Sequence, residues 1–204
     1  MSARERILDR VRRAVDGVDA APPAPLRPAI SRPADPLAQF TAQAEAVQAQ
    51  VTRVADADDL PTAVAEELRR RNLPARIRTG DDPLFDRDWG AVERSTGPGR
   101  PEEPVTMTRA ALGVAETGSL VFTSGPDNPV TLNFLGETHF AVVAARDIVQ
   151  GYEEAWEVLK AQQKPRTVNW VTGPSRSADI GQTLQLGAHG PVALQIFIVG
   201  EPEG

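Results

Sequence analysis

The sequence predicts an α/β protein: an open, mostly parallel sheet flanked by helices, preceded by an N-terminal helical arm. Three observations predict it. Short β-rich runs alternate with helical stretches through the second half of the chain, the order that builds a parallel sheet in a layered α/β fold. FAVVAA (140–145) and LQIFIV (194–199) are nearly continuous apolar runs, as strands covered on both faces are. Ahead of them, a charged amphipathic stretch and a proline-rich stretch stand apart from the rest.

Residues 3–16 read as an amphipathic helix, because Ile7, Val11 and Val15 recur every four residues with Leu8 beside them. A helix of about 14 residues is marginal alone in water, so this one is expected to dock. Residues 21–36 form a linker in which Pro22, Pro23, Pro25, Pro28, Pro33 and Pro36 remove backbone donors and favour extended geometry. The arm therefore spans 1–36 and the α/β domain 37–204. Such a linker lets the first helix reach a neighbouring subunit, in an oligomer, or a partner protein.

Leu37, Phe40, Ala44, Val47, Val51 and Val54 alternate spacings of three and four and predict a helix over 37–54, capped by Asp35 and started by Pro36. A second helix opens at Asp59 and Pro61, runs to about Arg71 and ends at Asn72. ARIRT (75–79) reads as a short strand, and 80–104 as a long irregular stretch. Beyond it come strands at 114–122, 139–145, 167–173 and 192–200, with helices near 147–161 and 177–186.

The chain has 204 residues, enough to bury roughly 70% of the surface its unfolded form exposes. It contains no cysteine, which excludes disulfides, cysteine-ligated iron–sulfur clusters and cysteine nucleophiles. Redox chemistry would then need a bound organic cofactor, which the sequence leaves unidentified, or a partner. The net charge of −6 and the absence of a basic domain argue against nucleic acid. No apolar run approaches the ~18 residues of a membrane span. No signal-peptide core follows the N-terminus, so the expected location is cytoplasmic. There is no phosphate loop, dinucleotide fingerprint or nucleophile elbow.

Four segments carry candidate chemistry. In Ala115–Ser119, Glu116 interrupts a strand-like run and Gly118 follows, with Thr117 between. A carboxylate there is either a catalytic group at a strand end or a half-exposed residue beside a hairpin glycine. Thr123–Pro129 is a polar turn in which Ser124 can face an anion or simply close the turn. Thr172-Gly173-Pro174-Ser175-Arg176-Ser177-Ala178-Asp179 joins an apolar strand to an expected helix. Open α/β sheets bind ligands outside the carboxyl ends of their strands, and helix N-termini favour anions. Thr172, Gly173, Ser175 and Ser177 supply small polar groups, and Arg176 a fork suited to carboxylate. Asp179 either caps the helix or faces the ligand. In Gly187–Pro191, His189 is a general acid/base or a loop-holding group.

AETGSLVF (115–122), THFAVVAARDIV (138–149) and TGPSRSADIGQTLQLGAHGP (172–191) together resemble the LUD, or lactate-utilisation, family. Ser177 stands where the family commonly has threonine, and Gly181 where an acidic residue is common. The resemblance implies a fold similar to the sugar-isomerase and CoA-transferase (NagB/RpiA/CoA transferase-like) group. It implies a role in oxidation of L-lactate to pyruvate with iron–sulfur partner proteins, and a small carboxylate or anionic ligand. On this reading Arg176 grips the carboxylate, and Glu116 or His189 handles a proton. A non-catalytic assembly or regulatory subunit is the alternative. So is a stand-alone acyl- or CoA-transferase, because the Glu116-x-Gly118 pattern is similar to the nucleophile turn of the CoA transferases.

Overall fold

The computed structural model describes residues 2–16, 34–161, 165–178, 184–186 and 190–201, with the backbone alone at 177–178 and 184–186. The chain divides into two compact units, Met1–Ser31 and Arg32–Gly204.

The first unit contributes α1 (Ala3–Val15). Ser2 and Glu5 close a capping box on it: the Glu5 N–H donates to the Ser2 hydroxyl at 3.2 Å, and the Ser2 N–H to the Glu5 carboxylate at 2.5 Å. The expected apolar stripe is present and open, with Ile7, Val11 and Val15 exposed by 64%, 54% and 60%.

The second unit is built on a six-stranded sheet. Its strands are β1 (Gln50–Val54), β2 (Arg76–Thr79), β3 (Glu93–Thr96), β4 (Val105–Arg109), β7 (Thr138–Ala144) and β12 (Ala193–Val199), in the order β1-β12-β7-β4-β2-β3. Every pairing in it is parallel. A smaller sheet, in the order β8-β5-β6-β9, joins β5 (Leu112–Val114), β6 (Ser119–Thr123), β8 (Ile148–Val149) and β9 (Val168–Val171). β10 (Arg176–Ala178) and β11 (Leu184–Leu186) form an antiparallel pair. The helices are α2 (Pro36–Ala46), α3 (Leu60–Arg70) and α4 (Tyr152–Ala161).

Side-chain alternation sorts the layers. Phe140 and Val142 of β7 and Phe197 of β12 pack with Leu60, Val64 and Leu68 of α3 on one face of the large sheet. Ala141 and Val143, with Leu194, Ile196 and Ile198, face Leu120 and Phe122 of β6 and Phe40 and Ala44 of α2 on the other. The far face of the small sheet, Leu112, Val114 and Val121, is covered by Ala155 and Leu159 of α4.

Several expectations are corrected. The helix foreseen over 37–54 ends at Ala46. Gln48 takes a φ of 69° and the chain continues as β1, because Val51, Thr52 and Val54 are β-branched residues that pair with β12. Asp35 and Pro36 do start the helix, with the Ala38 N–H donating to the Asp35 carboxylate at 2.9 Å. The strand foreseen over 114–122 is a hairpin of β5 and β6 whose turn is Ala115–Gly118. The stretch 80–104 holds β3, and β4 follows it as an interior strand. The helix near 147–161 begins only at Tyr152, after β8. Residues 177–178 and 184–186, foreseen as helical, lie in strands β10 and β11.

Glu67 ties α3 to the sheet. Its carboxylate accepts from Arg70 Nε at 2.7 Å and from Arg71, and Arg71 also donates to Gln195 of β12 at 3.1 Å. Burial raises the Glu67 carboxyl, but the two arginine hydrogen bonds and charges outweigh it and hold the group below its ordinary value. Glu67→Gln is expected to lower unfolding stability by about 1–3 kcal/mol, the cost of weakening charged hydrogen bonds to a buried group. The loss should be present above the ordinary carboxylate range near 4.5 and shrink as pH falls through the Glu67 pKa. Urea titrations at two pH values check both.

Candidate functional site

The amino ends of β7 and β12 and the carboxyl end of β9 meet around a cavity of about 230 Å³. Its wall comprises Asn133 and Phe134, His139 of β7, Leu194 of β12, the segment from Trp170 to Ser175, and Gly190 with Pro191. The rim is pinned where the Ser175 N–H donates to the Pro191 carbonyl at 2.8 Å.

Glycine geometry decides where Thr172 to Ser175 lie. Gly173 has a φ of 74°, and a Cβ there would overlap the backbone of Val47 at the end of α2. Gly118 has a φ of 65°, and its Cβ would overlap Gln43 and Ala44 of the same helix turn. Both glycines therefore let α2 pack on bare backbone, and Gly173 also lines the cavity. Their neighbours are joined by hydroxyls. Thr117 Oγ1 lies 2.7 Å from Ser119 Oγ, which lies 2.6 Å from Thr172 Oγ1, and the Tyr152 hydroxyl sits 3.3 Å from both Thr117 and Ser119. Tyr152 in turn stacks on Trp170 with ring centroids 4.9 Å apart.

Thus Thr172, Gly173 and Ser175 line the cavity, and Thr117 and Gly118 stand behind it. Arg176, exposed at the start of β10, follows Ser175 directly. The helix N-terminus invoked for anion binding at Ser177 is absent, because β10 and β11 pair there. Glu116 lies in the hairpin turn, exposed, with its N–H donating to the Gln150 carbonyl at 3.0 Å. Ser124 is not brought to the cavity. Its N–H and hydroxyl pair with Thr167 at 3.0 and 2.9 Å, at the opposite end of the β6–β9 ladder from Thr172. Asp179 and His189 lie outside the described residues.

The structure adds His139, to which the sequence analysis gives no role. It is 1% exposed and its ring lies 5.4 Å from Phe122. Thr108 links it to Asn133: the Thr108 hydroxyl donates to Asn133 Oδ1 at 2.9 Å and lies 2.7 Å from His139 Nε2. A hydroxyl has one proton to give. With that proton on Asn133, the neutral ring donates to Thr108 from Nε2; with the Asn133 amide turned over, the chain runs the other way and Nε2 accepts. Nδ1 is buried and has no hydrogen-bond partner among the described residues. The available signal was a lone polar residue in register with Ala141 and Val143, which point into the core between the sheets. Among the described residues no group of three or more histidine, aspartate or glutamate side chains is placed to hold a metal ion.

Burial pushes the His139 pKa down from 6.5 to about 3. The unfolded chain binds a proton near pH 6.5 that the folded chain refuses, so stability falls as pH drops from 6.5 towards 3. The slope from this group is at most about 1.4 kcal/mol per pH unit. His139→Phe should flatten that part of the stability–pH profile; an unchanged slope in thermal melts between pH 4 and 6.5 would place the acid sensitivity elsewhere.

With this geometry in view, comparison with known proteins is informative. The LUD domain model matches residues 104–199. Lactate utilization protein C of Deinococcus radiodurans is 30% identical over 213 residues, covering 97% of this chain and 96% of that protein. Its counterpart in a Geobacillus species is 28% identical over 185 residues, 76% of this chain and 77% of that protein. The protein of the same name from Anoxybacillus flavithermus is 33% identical over 95 residues, and there the match spans only 43% of the relative. A crystal structure of a DUF162 family protein from Deinococcus radiodurans superposes with a TM-score of 0.66 at 25% identity, over 84% of this chain and 99% of that one. The cavity-lining segment 170–175 and β7 with His139 both fall inside the matched domain, and this chain belongs to the LUD domain family.

Proposed function

We propose that this chain is a cytoplasmic subunit of a lactate-utilisation system that supports oxidation of L-lactate to pyruvate together with iron–sulfur partner proteins. The observation that carries the reading is the near full-length similarity to a relative named lactate utilization protein C. The cavity suits the reading. Drug-sized ligands occupy pockets of roughly 300–1,000 Å³, and a space of about 230 Å³ fits a smaller molecule such as a three-carbon acid. Its described wall is neutral and polar at Asn133, His139, Thr172 and Ser175, and the Arg176 guanidinium is the next residue along the rim. Oxidising lactate removes two electrons and two protons. A chain without cysteine ligates no cluster through thiolates, so the clusters that carry those electrons belong to the partners.

Tagged protein purified anaerobically from its host grown on lactate should bring down cysteine-rich proteins and reduce a dye when lactate is added. Recovery of the chain alone, inert towards lactate, would overturn the reading. In the active complex Arg176→Ala should remove activity while leaving the melting temperature within a few degrees, because the side chain is exposed. Full activity would take Arg176 out of the mechanism.

A specific observation favours a second reading, that of an assembly subunit without chemistry of its own. α1 buries none of its residues and presents Ile7, Val11 and Val15 in a row. Contiguous apolar surface of this kind marks interaction sites. Deleting residues 1–31 should then release the partner proteins in the pull-down while the unit 32–204, which retains the Asp35 cap of α2, keeps its melting curve. A complex of unchanged composition after the deletion would eliminate the arm as the contact.

A further inference from the structure

At the opposite edge of the large sheet from the His139 cavity, we infer a second ligand site. The crevice outside the carboxyl ends of β1, β12, β7 and β4 binds an organic phosphate of nucleotide size, whose phosphoryl oxygens are held by Arg87, Arg109 and Arg146. The crevice encloses about 470 Å³ and lies where open α/β sheets present their ligand sites. His139 and Ala144 stand five residues apart on β7, roughly 17 Å at about 3.3 Å per residue, so the two sites are separate. Three arginines from three different segments reach the crevice wall. Arg87 follows the turn Pro83–Phe85, Arg109 ends β4, and Arg146 sits in the turn Ala145–Asp147 after β7. The rest of the wall is largely apolar, with Leu84, Val142, Ala144 and Val199 among its residues.

In a chain of net charge −6, this wall holds three guanidiniums against the single carboxylate of Asp56, which already accepts from the Asp58 N–H at 2.9 Å. Arg87 pairs at 3.0 Å with Asp58, whose side chain is 91% exposed. Arg109 stands 4.0 Å from Asp82, whose carboxylate already accepts from the Leu84 N–H at 2.7 Å. Asp82 and Asp127 line the adjoining crevice that Arg109 shares, so an anion is favoured on the side of Arg87 and Arg146. Arg146 is exposed and makes no ion pair among the described residues. An ion pair open to water contributes little, so a phosphoryl group displaces Asp58 readily. A carboxylate offers two oxygens and one charge, which a single guanidinium fork satisfies. A phosphoryl group offers three oxygens and nearly two charges, and answers forks that converge from several directions. Bare phosphate would leave most of this space empty. The volume lies within the roughly 300–1,000 Å³ of small-molecule sites, and the apolar part of the wall gains by covering an organic body.

The test is titration calorimetry on the full-length chain in metal-free buffer, with three probes: ADP, adenosine, which lacks the charge, and methyl diphosphate, which lacks the body. ADP should bind at least about ten-fold tighter than either of the others. Its affinity should fall as sodium chloride is raised, as an arginine-held anion requires. Arg146→Glu should weaken ADP binding by about ten-fold or more while the melting temperature stays within a few degrees, because the side chain is exposed. Failure of ADP to bind, or affinity no better than that of adenosine, would overturn the inference. Methyl diphosphate bound as tightly as ADP would overturn the organic body. ADP affinity unchanged in Arg146→Glu would place the anion elsewhere, on the arginines of α1 for instance, and overturn the assignment to this crevice. Because the three-probe comparison needs no variant, poor folding of Arg146→Glu does not protect the idea.

Discussion

The last turn of α2 rests on bare backbone, and the arrangement of both sheets depends on that contact. Gly118, in the β5–β6 turn, and Gly173, after β9, each take a positive φ and each leave no room for a Cβ against residues 43–47. Side-chain contacts can yield by a rotamer change. Backbone against backbone cannot, so the separation is set within a few tenths of an ångström. One residue past the helix cap, Gln48 turns the chain through a left-handed conformation and delivers it into β1 at the edge of the large sheet. A single short segment thereby fixes the small sheet against the large one. Phe40 and Ala44, both fully buried, supply the apolar burial that holds it there, with the Phe40 side chain alone contributing about 1.5–3 kcal/mol.

The polar chemistry sits at the rim of the core that this contact defines. Alanines alternate with larger apolar side chains in the layer between the sheets: Ala44, Ala49, Ala110, Ala115, Ala141 and Ala145 lie among Phe40, Leu120, Phe122 and Ile196. In this apolar layer the His139 ring is a polar insertion, tolerated because it is neutral and because the Thr108 hydroxyl, itself bonded to Asn133, satisfies one side of it. Nδ1 on its other side is buried as well, and the residue forms part of the cavity wall. A second crevice of about 470 Å³ lies where open α/β sheets usually bind ligands, outside the carboxyl ends of the parallel strands, with Arg87, Arg109 and Arg146 in its wall. Two of those guanidiniums already face carboxylates, Arg87 with Asp58 at 3.0 Å and Arg109 with Asp82 at 4.0 Å. The cavity near His139 is smaller and neutral, and each of the two has one buried unmet group in its wall, His139 Nδ1 in one and Arg87 Nε in the other.

The parallel core was readable because strands covered on both faces leave runs such as FAVVAA that little else explains. The break after Ala46 was not, because Val47, Val51 and Val54 satisfy a helical spacing and a β-branched strand equally well, and nothing marks Gln48 as left-handed. The same ambiguity hid the hairpin at Glu116. Its turn is forced by Gly118, and a glycine in a strand-like run signals a bulge, a close approach or a turn without choosing among them. At the site, the T-G-P-S segment was legible from turn residues following an apolar strand. His139 was not, because its importance lies in partners 31 and 6 residues away, Thr108 and Asn133, that only the fold brings together.

Two segments more than 50 residues apart in sequence are here one structural unit. The Ala115–Ser119 turn and the Thr172–Ser175 loop share the α2 seat through Gly118 and Gly173, and share a hydroxyl chain through Thr117, Ser119 and Thr172. The separate suggestions of a carboxylate turn and an anion loop therefore describe neighbouring parts of one rigid body. Within that body the loop walls the cavity and the turn braces it, with Glu116 outward and Ser119 fully buried. Since Ser119 bonds to the loop and both glycines bond the body to α2 by close contact alone, a change at the turn reaches the cavity by displacing Thr172, and no charge needs to pass between them. That makes the turn a positioning element for the loop, whatever ligand the cavity holds.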